Sequence, residues 1–277
     1  MQLAAVSTWV GCGWTVLVEA KSDEVRLLTD WNDSRFNGTE GPVVANALPE
    51  RKLIVGGEIL QRGAKSYTAG LGSTAAGGNF CGGSLVTPSH VLSAAHCIEG
   101  GIRWVSIGLH YINGTQDGEQ IRVVSIPGHP NYSTNVHQMW NDFVGLGLER
   151  PSQIKPVKIA AADGSDINPG EFAAAIGWGR VDENATTSYE LQSVKLQLLS
   201  YDECSKVLDI DECAGGPGKS PCYGNSGCPL VREAPGGDDV LIGVVSWGDT
   251  CGRDGTPTAF GIVSRVRGWI ESLTGKL

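Results

Sequence analysis

Three residues far apart in the chain are of the types that acyl transfer by a serine hydroxyl needs: His96, Asp142 and Ser226. That chemistry requires a base to take the hydroxyl proton, a carboxylate to orient the base, and backbone N–H groups to hold the oxyanion. His96 stands in Ser93-Ala94-Ala95-His96-Cys97. Asp142 follows Asn141 and precedes the apolar run Phe143-Val144-Gly145-Leu146, and Ser226 lies in Gly224-Asn225-Ser226-Gly227. Each has a plainer reading when taken alone. A histidine beside a cysteine is commonly structural, and an aspartate before an apolar run is commonly a turn residue. Gly-Asn-Ser-Gly is a tight turn whose glycines let the backbone approach a ligand closely. Only their joint context makes a site of them.

A site drawn from such distant segments needs a rigid frame. Short β-type runs recur between Gly, Pro and Asn at residues 83–86, 104–107, 121–126, 143–148, 191–199 and 240–247. Such spacing suits antiparallel barrels, and 39 Gly and 13 Pro against 7% aromatic residues argue the same way. Only the tail, residues 264–277, reads as a helix, with Val266, Trp269, Ile270 and Leu273 on one face. At 277 residues the chain is long for one unit, but all-β units reach this size. Hydrophobic residues at 41% and charged residues at 18% allow a core to be buried. The net charge of −9 argues against nucleic acid and anionic membrane as partners.

Residues 1–20 are mostly apolar and end in Val18-Glu19-Ala20, small-residue spacing suited to signal cleavage. No Lys or Arg precedes position 21, so the basic start of a signal peptide is missing; a misassigned start codon is the alternative. Residues 21–53 read as a polar pro-segment ending in Pro49-Glu50-Arg51-Lys52-Leu53, and 54–277 as the main domain. No other apolar run reaches transmembrane length, so no membrane contact is expected once the signal is removed. Eight cysteines and the acceptors Asn32, Asn37, Asn113, Asn131 and Asn184 suit a secreted, disulfide-bonded glycoprotein.

Seven segments carry a family resemblance, in order and at its spacing. They are Ile54-Val55-Gly56-Gly57, Cys81-Gly82-Gly83-Ser84-Leu85, Ala94-Ala95-His96-Cys97, Asn141-Asp142, Gly177-Trp178-Gly179, Cys213-Ala214-Gly215-Gly216 and Ser246-Trp247-Gly248. Residues 54–277 thereby resemble the trypsin/chymotrypsin serine proteases. The resemblance implies an all-β fold of two packed antiparallel barrels, with the C-terminal helix, and a cleft between the barrels. It implies His96, Asp142 and Ser226 as the catalytic trio, Gly224 and Ser226 as oxyanion-hole donors, and neither metal nor other cofactor. It also implies the pairs Cys81–Cys97, Cys204–Cys213 and Cys222–Cys251. Cys12 would leave with the signal, and Cys228 has no partner, at a position where the family usually carries Gly.

The departures matter as much. In that family, cleavage before the first Ile frees an ammonium that pairs with the Asp preceding the nucleophile. Here Ile54 would supply the ammonium, but the acceptor is Asn225, which brings no charge. Removing one partner of a buried ion pair typically costs roughly 3–5 kcal/mol, enough to leave the active form about a hundredth to a thousandth as populated. Leu53 also stands between the basic pair Arg51-Lys52 and Ile54, so cutting after Lys52 leaves a terminus one residue too long. In the specificity pocket, expected to involve Ser220, Ser246 and Gly248, Ser220 stands where trypsins carry Asp, and Asp249-Thr250 replace small residues. A pocket so lined should not favour Lys or Arg.

A narrower resemblance lies in residues 106–120, 51–57 and 156–169. These segments are similar to the oomycete glucanase inhibitor proteins, secreted trypsin relatives that bind and inhibit plant endo-β-1,3-glucanases and are typically catalytically impaired. It implies a protein partner, a host endoglucanase, and an extracellular, apoplastic setting. The intact trio keeps a second reading open, an active secreted endopeptidase, and a pseudoprotease with some other partner is a third. The acidic group Asp202, Glu203, Asp209, Asp211 and Glu212 is either a solvated face or a contact for a basic partner.

Overall fold

The computed structural model describes residues 17–21, 24–28, 56–76, 78–113, 117–135, 138–179, 187–208, 213–215, 225–234, 238–248 and 256–275. The chain divides into two units, Met1–Glu50 and Arg51–Leu277. In the first, β1 (Leu17–Lys21) and β2 (Glu24–Leu28) pair as an antiparallel hairpin. The second unit begins with β3 (Glu58–Ile59), β4 (Thr68–Gly72), β5 (Cys81–Thr87), β6 (His90–Ser93), β7 (Trp104–Ile107) and β8 (Glu119–Ser125). A small hairpin, β9 (Ser133–Asn135) with β10 (Gln138–Trp140), precedes β11 (Val144–Leu148). Then come β12 (Lys158–Ile159), β13 (Phe172–Gly177), β14 (Gln192–Leu198), α1 (Tyr201–Leu208) and β15 (Cys213–Gly215). β16 (Pro229–Arg232), β17 (Val240–Trp247), β18 (Thr258–Ile262) and α2 (Val263–Thr274) complete it.

Two rings result. β11, β6, β5, β4, β7 and β8 close into one barrel. β17, β16, β13, β14, β15 and β18 follow one another in the second, and β18 returns to β17 to close it. β12 adds to β17 in parallel, and β3 pairs with β14, so the segment leading into the first barrel is stitched to the second. Among the described residues, closure leaves no long unpaired strand edge in either ring. The fold read from the sequence is therefore the fold observed. The strand pattern explains why: in β14, Val194, Leu196 and Leu198 are buried while Lys195 and Gln197 between them are exposed. In β7 and β17 the apolar run is nearly unbroken because both faces are covered.

The reading that only the tail is helical needs correction. α1 is a second helix, too short and too polar for its apolar period to show. Its start was nevertheless written in Ser200-Tyr201-Asp202-Glu203, a capping box. Ser200 N–H donates to Glu203 Oε2 at 2.8 Å, and Glu203 N–H donates back to Ser200 Oγ at 3.4 Å. Asp202 and Glu203 are exposed in the first turn, where the helix dipole favours acids. Asp209, Asp211 and Glu212 lie outside the described residues. Disulfide bonds join Cys81 to Cys97 and Cys204 to Cys213. Cys222, Cys251 and Cys12 are outside the described residues.

A second tie holds the barrels together. Lys65, just before β4, sets its ammonium 2.8 Å from Asp239 Oδ2 and 2.7 Å from Glu233 Oε1, both beside the β16–β17 connection. The Tyr67 hydroxyl donates to the same Asp239 oxygen at 2.6 Å. Asp239 is only 7% exposed, so its charge depends on these donors. Lys65→Met should therefore cost about 3 kcal/mol by leaving that carboxylate buried and underpaired, whereas Tyr67→Phe, which removes one hydrogen bond to it, should cost about 2 kcal/mol. Urea denaturation of the two variants checks this ordering; equal losses would show that the Lys65 charge is not what matters.

Candidate active site

His96 lies on the single 3₁₀ turn Ala95–Gly100 that follows β6. Gly101 ends that turn at φ 72°, a left-handed position open to glycine, and the Cys81–Cys97 bond fastens it to β5. Asp142 sits just before β11, after Asn141, which adopts φ 51° as asparagine readily does. The two meet closely. His96 Nδ1 is 2.8 Å from Asp142 Oδ2, and the His96 backbone N–H donates to Asp142 Oδ1 at 2.9 Å. From β17 of the second barrel, the Ser246 hydroxyl donates to Asp142 Oδ2 at 2.6 Å. Burial pushes the Asp142 carboxyl up, but the His96 and Ser246 bonds and the His96 charge outweigh it, so the group sits below the ordinary value. A carboxylate so held orients the imidazole through Nδ1 and directs Nε2 away from itself.

Ser226 stands on a tight turn closed by Cys228 N–H donating to Asn225 O at 2.8 Å. Gly227 has φ 78° and packs so closely on β5 that a Cβ would overlap Gly82 O and Ser93 Oγ. Two bonds pin the turn to both barrels: Gly82 N–H to Ser226 O at 2.7 Å, and Gly227 N–H to Val245 O at 2.8 Å. Ser226 is partly exposed while its neighbours Asn225 and Cys228 are buried. His96 Nε2 lies 3.8 Å from Cys97 Sγ and makes no hydrogen bond to the Ser226 hydroxyl. In sites of this class that bond commonly tightens only with substrate present. Cys81, His96 and Cys97 bring three metal-ligating atoms together, but both sulfurs are bonded to each other and offer no thiolate.

Asn225 is 1% exposed and turns its amide toward β13's end, where Oδ1 accepts the Gly179 N–H at 3.0 Å. Gly177 and Gly179 make this fit possible, since a Cβ on either would overlap the amide. Cys228 is a free, buried thiol wedged against Gly82 and Gly177, and burial pushes it up to about 12. Ile54, Gly224 and Ser220 are outside the described residues, as is the Asp249-Thr250 pair. Gly248 faces Thr258, with room for a Cβ only at 3.3 Å from Thr258 Oγ1. Ser246, read from the sequence as a pocket residue, directs its hydroxyl to Asp142. Nothing local to Ser246-Trp247-Gly248 signals this, because the partners are 104 residues apart.

Comparison with known proteins fits this geometry. The model of the trypsin family matches residues 54–270. Glucanase inhibitor protein 2 of Phytophthora infestans is 48% identical over 236 residues, covering 81% of this chain and 90% of the relative. Glucanase inhibitor protein 2 of Phytophthora sojae is 42% identical, covering 80% of each. Trypsin-1 of Salmo salar is 33% identical, covering 80% of this chain and 91% of the relative.

The Ser246 bond has a measurable signature. Because the Asp142 carboxyl is held low, its contribution to stability is present above about pH 4 and is lost as pH falls through the lowered value. Ser246→Ala removes one bond that lowers it, at a cost of about 2 kcal/mol near neutrality. The melting temperature of the variant should then fall less on acidification than that of the parent, so that the two profiles converge at low pH. Melting curves from pH 7 to 3 decide; parallel profiles would mean Ser246 does not act through Asp142.

Proposed function

Because this chain belongs to the trypsin family, we propose that it uses that scaffold as a secreted, catalytically impaired protein that binds and inhibits a plant endo-β-1,3-glucanase. The observation that carries the impaired half is Asn225. In trypsins the residue before the nucleophile is an aspartate that draws a freed N-terminal ammonium into the fold. Here a neutral amide occupies that place and is served by a neutral donor, Gly179 N–H. An Ile54 ammonium would gain a hydrogen bond there but no ion pair. The inhibitory half is supported by relatives named glucanase inhibitor proteins at 42–48% identity over four-fifths of the chain. Disulfide bonds support an oxidising, extracellular setting.

A second reading is favoured by one specific observation, the 2.8 Å bond between His96 and Asp142. On that reading the protein is an endopeptidase. His96 Nε2 takes the Ser226 proton as Oγ adds to a peptide carbonyl, and the Gly224 and Ser226 N–H groups hold the oxyanion. His96 then gives the proton to the leaving amine, and water repeats the cycle on the acyl-enzyme. Ser220 and Gly248 would line a pocket closed to basic side chains.

One experiment separates the two. The secreted protein and Ser226→Ala are assayed with a purified plant endo-β-1,3-glucanase and with a fluorophosphonate probe. Inhibition should be stoichiometric, independent of time and equal in both proteins, with feeble labelling of the parent and none of the variant. Glucanase that is progressively clipped, with clipping abolished by Ser226→Ala, would favour the endopeptidase. Restoring the charge supplies the complement: Asn225→Asp with Leu53 deleted should gain peptidase activity after processing, by up to about a hundredfold.

A further inference from the structure

The two barrels are knitted together at a seam that carries an aromatic ledge. Tyr111, after β7, and Glu190, before β14, form an isolated antiparallel bridge. Ile112 N–H donates to Tyr189 O at 3.0 Å and Leu191 N–H to His110 O at 2.7 Å. On this seam the Tyr111 and Tyr189 rings stack with centroids 5.1 Å apart. The Arg62 guanidinium sits 5.9 Å from the Tyr111 centroid, within cation–π range. Tyr189 is 49% exposed and the Arg62 side chain 64% exposed. Other large apolar side chains reach solvent, including Val124, Phe172 and Tyr201, but among the described residues none of them joins a ring pair.

The ledge is also braced from within. Ser188, next to Tyr189, donates its N–H to Trp178 O and Gly179 O at 3.2 and 3.1 Å, and Gln192 Nε2 donates to Ser188 Oγ at 2.6 Å. Trp178 Nε1–H in turn donates to His110 O at 3.0 Å. Binding hot spots are rich in Tyr and Arg, and they gain most when the side chains are ordered before the partner arrives. Stacked tyrosines on a doubly braced backbone meet both conditions.

We infer that the Tyr111–Tyr189–Arg62 ledge is the surface that anchors the glucanase, resting on the inhibitor reading above. Arg62 already faces Asp117 Oδ2 at 3.7 Å, so the partner group the ledge fits is an apolar loop that covers the rings. Relatives named glucanase inhibitor proteins favour the enzyme over its substrate as the occupant. Tyr111 also lies within residues 106–120, where the chain is similar to the inhibitors more narrowly than to proteases. The inhibitory surface is then the seam and not the Ser226 turn.

The test uses the secreted parent, Tyr189→Ala, Tyr111→Ala, Arg62→Ala and, as an exposed control, Phe172→Ala. Each is titrated against a purified plant endo-β-1,3-glucanase acting on soluble β-1,3-glucan. Tyr189→Ala should raise the half-inhibitory concentration about thirtyfold or more, the scale of a hot spot, with Arg62→Ala weaker in effect and Phe172→Ala within about twofold. Melting temperature and circular dichroism must match the parent; if Tyr111→Ala fails there, Tyr189→Ala and Arg62→Ala still decide. Tyr189→Ala inhibiting as well as the parent overturns the ledge while leaving the inhibitor reading intact. Binding of glucan by the free parent that Tyr189→Ala abolishes also overturns it, in favour of a sugar platform. A parent that inhibits no glucanase refutes the inhibitor reading itself, and the ledge's occupant with it.

Discussion

The Asp142 carboxylate is buried to 1% exposure, and a charge in that position is tolerable only while every donor stays in place. Two of its donors, both from His96, belong to the first barrel, and the third, Ser246, belongs to the second. The barrels therefore cannot slide past one another without stranding a charge. Orientation of the imidazole and packing of the two rings are one constraint. The Ser226 turn obeys the same logic, since its carbonyl is held by Gly82 of β5 and its Gly227 N–H by Val245 of β17. The site is a property of the interface, and neither barrel could build it alone.

How much of this could be read from the chain depended on range. Residues 104–107 and 240–247 were visible as strands to the residue, because a nearly unbroken apolar run between turn formers is a local signal. The trio was legible through its flanking motifs, not through its own chemistry. α1 escaped because eight residues hold too little apolar period, although its capping box was in plain view. Ser246's bond to Asp142 and the stacking of Tyr111 on Tyr189 have no local trace. They join segments 104 and 78 positions apart, and only the packing of one barrel on the other brings such segments together.

Asn225 sits at the crossing of two demands. As a neutral acceptor it brings no charge to meet a cut terminus. The same amide holds Gly179, whose carbonyl receives Ser188 beside the tyrosine ledge. A carboxylate there would bring a charge into the socket that only a processed terminus could answer. An amide braces the seam whatever the state of the terminus. Loss of charge at this position is thus compatible with a scaffold kept rigid for contact instead of turnover.

The buried thiol of Cys228 leads to a question of timing. In the finished protein it is buried, wedged between two glycines and held in the thiol form, which is the poor nucleophile in an exchange reaction. In the nascent chain none of that holds: its thiol has an ordinary acidity and competes with every other cysteine for a mate. The turn at Asn225–Cys228 must therefore close before oxidation has gone far, or scrambled isomers accumulate. A substitution that merely delays barrel closure would then be felt first as a lost yield of correctly bonded protein, long before any loss of stability in the molecules that do fold.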